Sequence, residues 1–130
     1  MNTKLNRILT EISAGELVDK ITILEIKKNK IDNTEKLFNI NKELASLNET
    51  FNKYILNKEI IEKEIKELKE INSKLWDIEE GKRSAEKKKE FGSSFINLAR
   101  NVYKINDERA KIKMKINKIL GSNISEVKSY

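Results

Sequence analysis

Residues 34–80 read TEKLFNINKELASLNETFNKYILNKEIIEKEIKELKEINSKLWDIEE. Leu37, Ile40, Leu44, Leu47, Phe51 and Tyr54 recur here at alternating spacings of three and four. The register continues through Lys58 to Ile61, Ile65, Leu68, Asn72 and Leu75. That spacing keeps one stripe of a helix apolar, as in a coiled-coil seam. Two arrangements satisfy it. One is a single helix of roughly 70 Å, which needs a partner chain along its length. The other is an antiparallel hairpin of about 34–56 and 59–80, turning near Leu56-Asn57-Lys58. The hairpin is preferred, because Asn57-Lys58-Glu59 interrupts the apolar pattern and folding back lets the chain bury its own stripes.

Toward the N-terminus, Asp32-Asn33-Thr34 offers a helix cap that separates this stretch from an earlier helix. Ser13-Ala14-Gly15-Glu16 reads as a capping box, with the Ser13 hydroxyl on the Glu16 amide and Glu16 reaching back to Ser13. A helix over 14–31 follows, apolar at Leu17, Ile21, Leu24 and Ile31 and widened by Val18, Ile23 and Ile26. So wide a stripe implies more than one neighbour. Residues 1–12 hold Leu5, Ile8, Leu9 and Ile12, in either a short helix or an extended arm.

Toward the C-terminus, Gly81 reads as the residue after a helix and 82–92 as a solvated linker. Ser93 or Ser94 then caps a helix over 95–120 that ends at Gly121, followed by a polar tail, 122–130. The seam of this last helix is Phe95, Leu98, Val102, Ile105, Arg109, Ile112, Ile116 and Ile119, apolar everywhere except Arg109. Its opposite face carries Arg100, Lys104, Lys111, Lys115 and Lys118. The expectation is an all-α helical bundle in a single domain, 1–130, with coiled-coil-like seams.

Composition narrows the function classes. The chain has no Cys and no His, which excludes thiol nucleophiles, disulfides, zinc-finger sites and Ser-His-Asp relays. With no Pro, four Gly and 6% aromatic residues, an all-β fold is disfavoured. No apolar run approaches the ~20 residues of a membrane span, and a cytoplasmic protein without cofactor or metal is expected. The net charge of +6 is uneven, with eight basic and three acidic side chains in 92–130. A basic helix can attract nucleic acid, but this one lacks interleaved aromatics for base stacking, which argues against that partner. The abundance of Lys, Ile and Asn also fits AT-rich coding.

Residues 13–27 (SAGELVDKITILEIK), 75–83 (LWDIEEGKR), 95–117 (FINLARNVYKINDERAKIKMKIN) and 121–130 (GSNISEVKSY) resemble an uncharacterised family of short bacterial and phage helical proteins. The resemblance implies a helical domain with no established activity, a setting near surface-polysaccharide genes, and a break at Leu56-Asn57-Lys58.

Arg109 is the leading candidate residue, because a cation in an apolar seam must snorkel, pair with a carboxylate or hold an anionic ligand. Asp19, Glu25, Asp77 and Glu79 are its expected partners; Asn106, Lys113 and Asn117 continue its flank, and Trp76 stands nearby in sequence with Asp77 and Glu79. A structural salt bridge that fixes helix register is the first reading of Arg109, with a ligand pocket and a protein interface behind it. Trp76, the only Trp, is read as packing against a neighbouring helix, and Tyr103 likewise. All-helical chorismate mutases show that cations between helices can catalyse without His, Cys or metal. Arg83, Arg100, Arg109, Lys20 and Lys113 supply cations of that kind, but no motif aligns with that family. The preferred reading is therefore a non-enzymatic helical interaction or adapter module that self-associates as a homo-oligomer, with an unidentified protein partner as a further option. An anionic-ligand or metal-free enzyme site at Arg109 is the alternative, and nucleic-acid binding by the basic face the third reading.

Overall fold

The computed structural model describes residues 4–128, and every element in it is helical. Four helices follow in order: α1 (Ala14–Lys30), α2 (Thr34–Tyr54), α3 (Glu62–Lys88) and α4 (Ser93–Leu120), with a 3-10 turn at Lys58–Ile61 ahead of α3. Residues 4–13 form no helix, so the short-helix option for the N-terminal segment is not met among the described residues; residues 1–3 lie outside them.

The chain breaks where the polar interruption lies. The cap amide of Ile55 closes α2 on the Phe51 carbonyl, and residues 55–57 carry the chain to the 3-10 turn. The single long helix is thereby replaced by two. Lys58, in register with the seam on paper, is exposed, because the break takes it out of the stripe. The stretch 34–80 divides into two helices as expected, but α2 and α3 do not pack on each other. α1 stands between them, touching α2, α3 and α4, while α2 rests on α1 alone among the helices. The wide apolar stripe of α1 makes this possible: Leu17, Val18, Ile21, Leu24 and Ile26 are all buried, more than one neighbour could cover.

The most extensive packing is between α3 and α4, the antiparallel pair that forms the long side of the bundle. The stretch expected as a linker, 82–92, is largely helix. Lys-Arg-Ser-Ala-Glu-Lys favours continuation, and Gly81 lies inside α3, where a Cβ would meet Leu98 Cδ1 at 3.3 Å. Gly81 therefore serves close approach of α4 rather than termination. α3 ends instead at Lys89, in the left-handed region (φ 56°), and only 89–92 connect the two helices. Gly92, not Ser93 or Ser94, is the N-cap of α4. Gly121 closes α4 in the left-handed conformation, as expected.

The core draws on all four helices: Leu17, Val18 and Ile21 with Ile40 and Leu44, Leu68 and Ile71, and Ile112 and Ile116. Ile61, Leu68 and Ile116 are fully excluded from solvent. The seams of α2, α3 and α4 are thus spent largely within one chain. The α4 seam is best covered toward its C-terminal half; Phe95, Leu98, Val102 and Ile105 are half-buried, and Ile119 is exposed. Among the described residues no helix is long and apolar enough to cross a membrane.

Candidate functional site

Three side-chain oxygens cap the start of α1, one from α4, one from the segment just after it and one from the N-cap of α1 itself. Free amides at a helix N-terminus need acceptors. The Ala14 amide donates to Ser122 Oγ (3.0 Å), Gly15 to Asn117 Oδ1 (2.7 Å) and Glu16 to Ser13 Oγ (3.1 Å). Half of the expected capping box is present. Glu16 does not return to Ser13, because its carboxylate goes to Lys113 Nζ at 2.7 Å. Gly15 lies so close to the α4 backbone at Lys113 that a Cβ would overlap the Lys113 carbonyl.

Lys113, expected beside Arg109 in a ligand cluster, is saturated by protein carboxylates. Besides Glu16 it meets Glu126 of the tail at 3.1 Å and Asp19 at 3.7 Å. Burial alone would push the Lys113 ammonium down, but the hydrogen bond it donates to Glu16, the charge of Asp19 and the hydrogen bond it donates to Glu126 outweigh that and hold the pKa above the usual lysine value. Burial would likewise raise Glu16, yet the Lys113 hydrogen bond and charge bring it below the ordinary carboxylate range. Glu126 is lowered by hydrogen bonds from Lys128 and then Lys113.

A buried relay joins this cluster to Arg109. Asn72 donates to Asp19 Oδ1 (2.8 Å) and to Thr22 Oγ1 (2.9 Å), and Thr22 donates to the Asp19 carbonyl (2.8 Å). With its amino group committed to α1, Asn72 turns its oxygen to Arg109 Nη1, at 3.5 Å. That long contact is the one hydrogen bond of the guanidinium among the described residues. None of the expected carboxylate partners pairs with it: Asp19 faces Lys113 and Asn72, Glu25 faces Lys69 (3.4 Å), Glu79 faces Lys82 (3.6 Å), and Asp77 is exposed. The reading of Arg109 as a register-fixing salt bridge is therefore not what the geometry presents.

Arg109 borders a cleft of about 420 Å³ between α1, α3 and α4. Ile23 and Ile26 from α1 and Leu75 and Trp76 from α3 give it apolar walls, and Lys27, Arg83 and Arg109 bring cations from three helices. Glu79 and Glu80 complete the lining. Trp76, Glu79, Glu80 and Arg83 share one face of α3 at spacings of three, four and seven, whereas Asp77 falls off that face. Sequence reasoning placed Trp76, Glu79 and Arg109 here, but it missed Lys27, Glu80 and the apolar wall of α1. Arg83 had been named only as one of several cations. The α3 spacing was the available signal for Glu80 and Arg83; nothing in the sequence marked Lys27. Asn106 lies on the other side of Arg109, in a smaller hollow of about 180 Å³ with Lys113 and Lys128.

Arg100, Lys104, Lys111, Lys115 and Lys118 are exposed along α4, and none pairs with a carboxylate of a described residue. Tyr103, expected to pack, is 59% exposed. Among the described residues no group of acidic side chains is arranged to hold a metal ion.

The model of one family, described as Family of unknown function (DUF6165), matches residues 8–130. No curated protein and no solved structure matches.

Proposed function

The chain belongs to the family of unknown function DUF6165, and from that premise we propose that it is a binding module whose cleft beside Arg109 takes an organic anion with an apolar or planar body. The observation that carries this is a half-buried Arg109 with no carboxylate partner among the described residues, facing a cleft of about 420 Å³. That volume falls within the range of small-molecule sites, roughly 300–1,000 Å³. Such sites pair apolar walls with a few convergent polar groups, which matches Trp76, Leu75, Ile23 and Ile26 beside Arg109, Arg83 and Lys27. The guanidinium can offer a two-pronged donor set to a carboxylate or phosphate, and the indole can pack on a flat body. Binding is favoured over turnover because the groups assembled are those that hold an anion, and the chain has neither His nor Cys.

Trp76 is the only Trp, so its fluorescence reports on the cleft alone. Iodide should quench it more strongly than caesium, with acrylamide as the neutral reference, and Arg109→Met should remove most of the difference. An anionic aromatic probe, anilinonaphthalene sulfonate, should bind about fivefold to tenfold more weakly to Arg109→Met, the effect of one charge-assisted contact. Equal quenching by both ions, together with probe binding indifferent to Arg109, refutes the proposal.

A second reading, a self-associating interaction module, has its own support. Leu5, Ile8 and Leu9 on the arm and Tyr54 and Leu56 at the α2–α3 turn are all strongly exposed. Light scattering across a concentration series tests it, and a monomer throughout ends it.

A further inference from the structure

A hollow larger than the Arg109 cleft, a groove of about 660 Å³, lies at the base of the bundle between the start of α1 and the α2–α3 turn. Ile12, Leu17, Tyr54, Ile55, Leu56 and Leu120 give it apolar walls. Tyr54 is 69% and Leu56 84% exposed, so the groove continues into an apolar surface. Beside it the non-helical N-terminal arm displays Leu5, Ile8 and Leu9, exposed by 81%, 79% and 86%. An apolar segment and an apolar groove thus stand next to each other, each unsatisfied.

We propose that two copies of the chain pair base to base by exchanging these arms, with Leu5, Ile8 and Leu9 of each seated in the groove of the other. This rests on the self-association reading and is independent of the Arg109 cleft. The arm cannot easily serve its own groove. Residues 10–14 already form part of the groove wall, so Ile8 and Leu9 could return only through a reversal at Leu9-Thr10. No Gly or Pro lies between Leu5 and Ile12, and the one turn-forming residue there, Asn6, precedes both Ile8 and Leu9. Extended, residues 4–12 span roughly 30 Å, enough to leave one molecule and cross the base of a second. Exchange is reciprocal and closes a twofold dimer without leaving an arm over. Covering the three arm residues together with Tyr54 and Leu56 buries on the order of 700 Å² per groove, or about 1,400 Å² for the pair, within the size of stable interfaces.

The absence of Cys allows a clean test on the full chain. Sedimentation equilibrium gives the oligomeric state, and a dimer is expected. The triple variant Leu5→Ser, Ile8→Ser, Leu9→Ser should raise the dissociation constant by about 100-fold or more, since each exposed side chain loses apolar burial. Its thermal melt should be unchanged at low concentration, because the arm lies outside the core. Leu9→Cys and Leu56→Cys, prepared separately and mixed under mild oxidation, should give a mixed disulfide dimer in excess of either homodimer. If the triple variant dimerises like the parent, or the mixed disulfide does not form, the exchange is wrong while self-association stands. A monomer at every concentration overturns both.

Discussion

Gly15→Ala is the sharpest test of how α1 and α4 are joined. In most helices this exchange stabilises, by about 0.4–1 kcal/mol, because Ala restricts the unfolded chain. Here the added methyl would overlap the Lys113 carbonyl and come within 3.0 Å of Asn117 Oδ1. The neighbour it meets is helix backbone, which cannot rotate aside, so α4 must retreat. That retreat also stretches the 2.7 Å hydrogen bond from the Gly15 amide to Asn117. Overpacking costs roughly 1–3 kcal/mol and a weakened buried hydrogen bond about 1 more, against the small gain in propensity. The net loss is about 1–3.5 kcal/mol. For 130 residues the unfolding entropy is roughly 0.27 kcal/mol/K, so Tm should fall by about 4–13 °C. Far-ultraviolet circular dichroism and Trp76 fluorescence should report it together. Gly81→Ala is the control, since its methyl meets the movable side chain of Leu98 at 3.3 Å, and a change within about 1 kcal/mol is expected. A Gly15→Ala protein as stable as the parent, or more so, refutes the close approach of α1 to α4.

Further outcomes follow from the same contacts. Lys113→Met should destabilise by about 2–4 kcal/mol in urea titration, because it leaves the buried Asp19 without its counter-charge. The partial exposure of Glu16 and Glu126 keeps the loss from being larger. Arg109→Met should leave stability unchanged or raise it by up to about 1 kcal/mol, because no ion pair is lost; a drop of several kcal/mol would restore the structural salt bridge. Stability should be flat near neutrality and fall at both extremes. Glu16 and Glu126 have lowered pKa values, so their contribution is complete above the unfolded carboxylate value of about 4.3 and is lost as pH falls through the folded values. Lys113 is raised, so its contribution is complete below about 10.4 and is lost as pH climbs through the folded value. In Lys113→Met both limbs should flatten, and an unaltered acid limb would count against the Glu16–Lys113 pair.

The local code was readable in the residues. Ser13 and Asn33 cap the helices they were expected to cap, Gly121 takes the left-handed position, and the chain breaks at the polar interruption after Ile55. These features depend on near neighbours in the chain, and so does the stripe that says which face of each helix is buried. Periodicity does not say which neighbour covers that face. Only tertiary packing set α1 between α2 and α3 in place of a closed hairpin, and only packing made Gly81 a point of contact inside a continuing helix. The candidate site divides in the same way. Arg109 was conspicuous as one cation in an apolar seam, and Trp76 as a lone indole. Which cation would find carboxylates depended on residues about a hundred positions apart: Lys113 received Glu16, while Arg109, one turn earlier, received an amide oxygen and an open cleft. Charge pairing across helices is decided by their relative rotation and depth. Those are properties of the assembled bundle, which no single helix encodes.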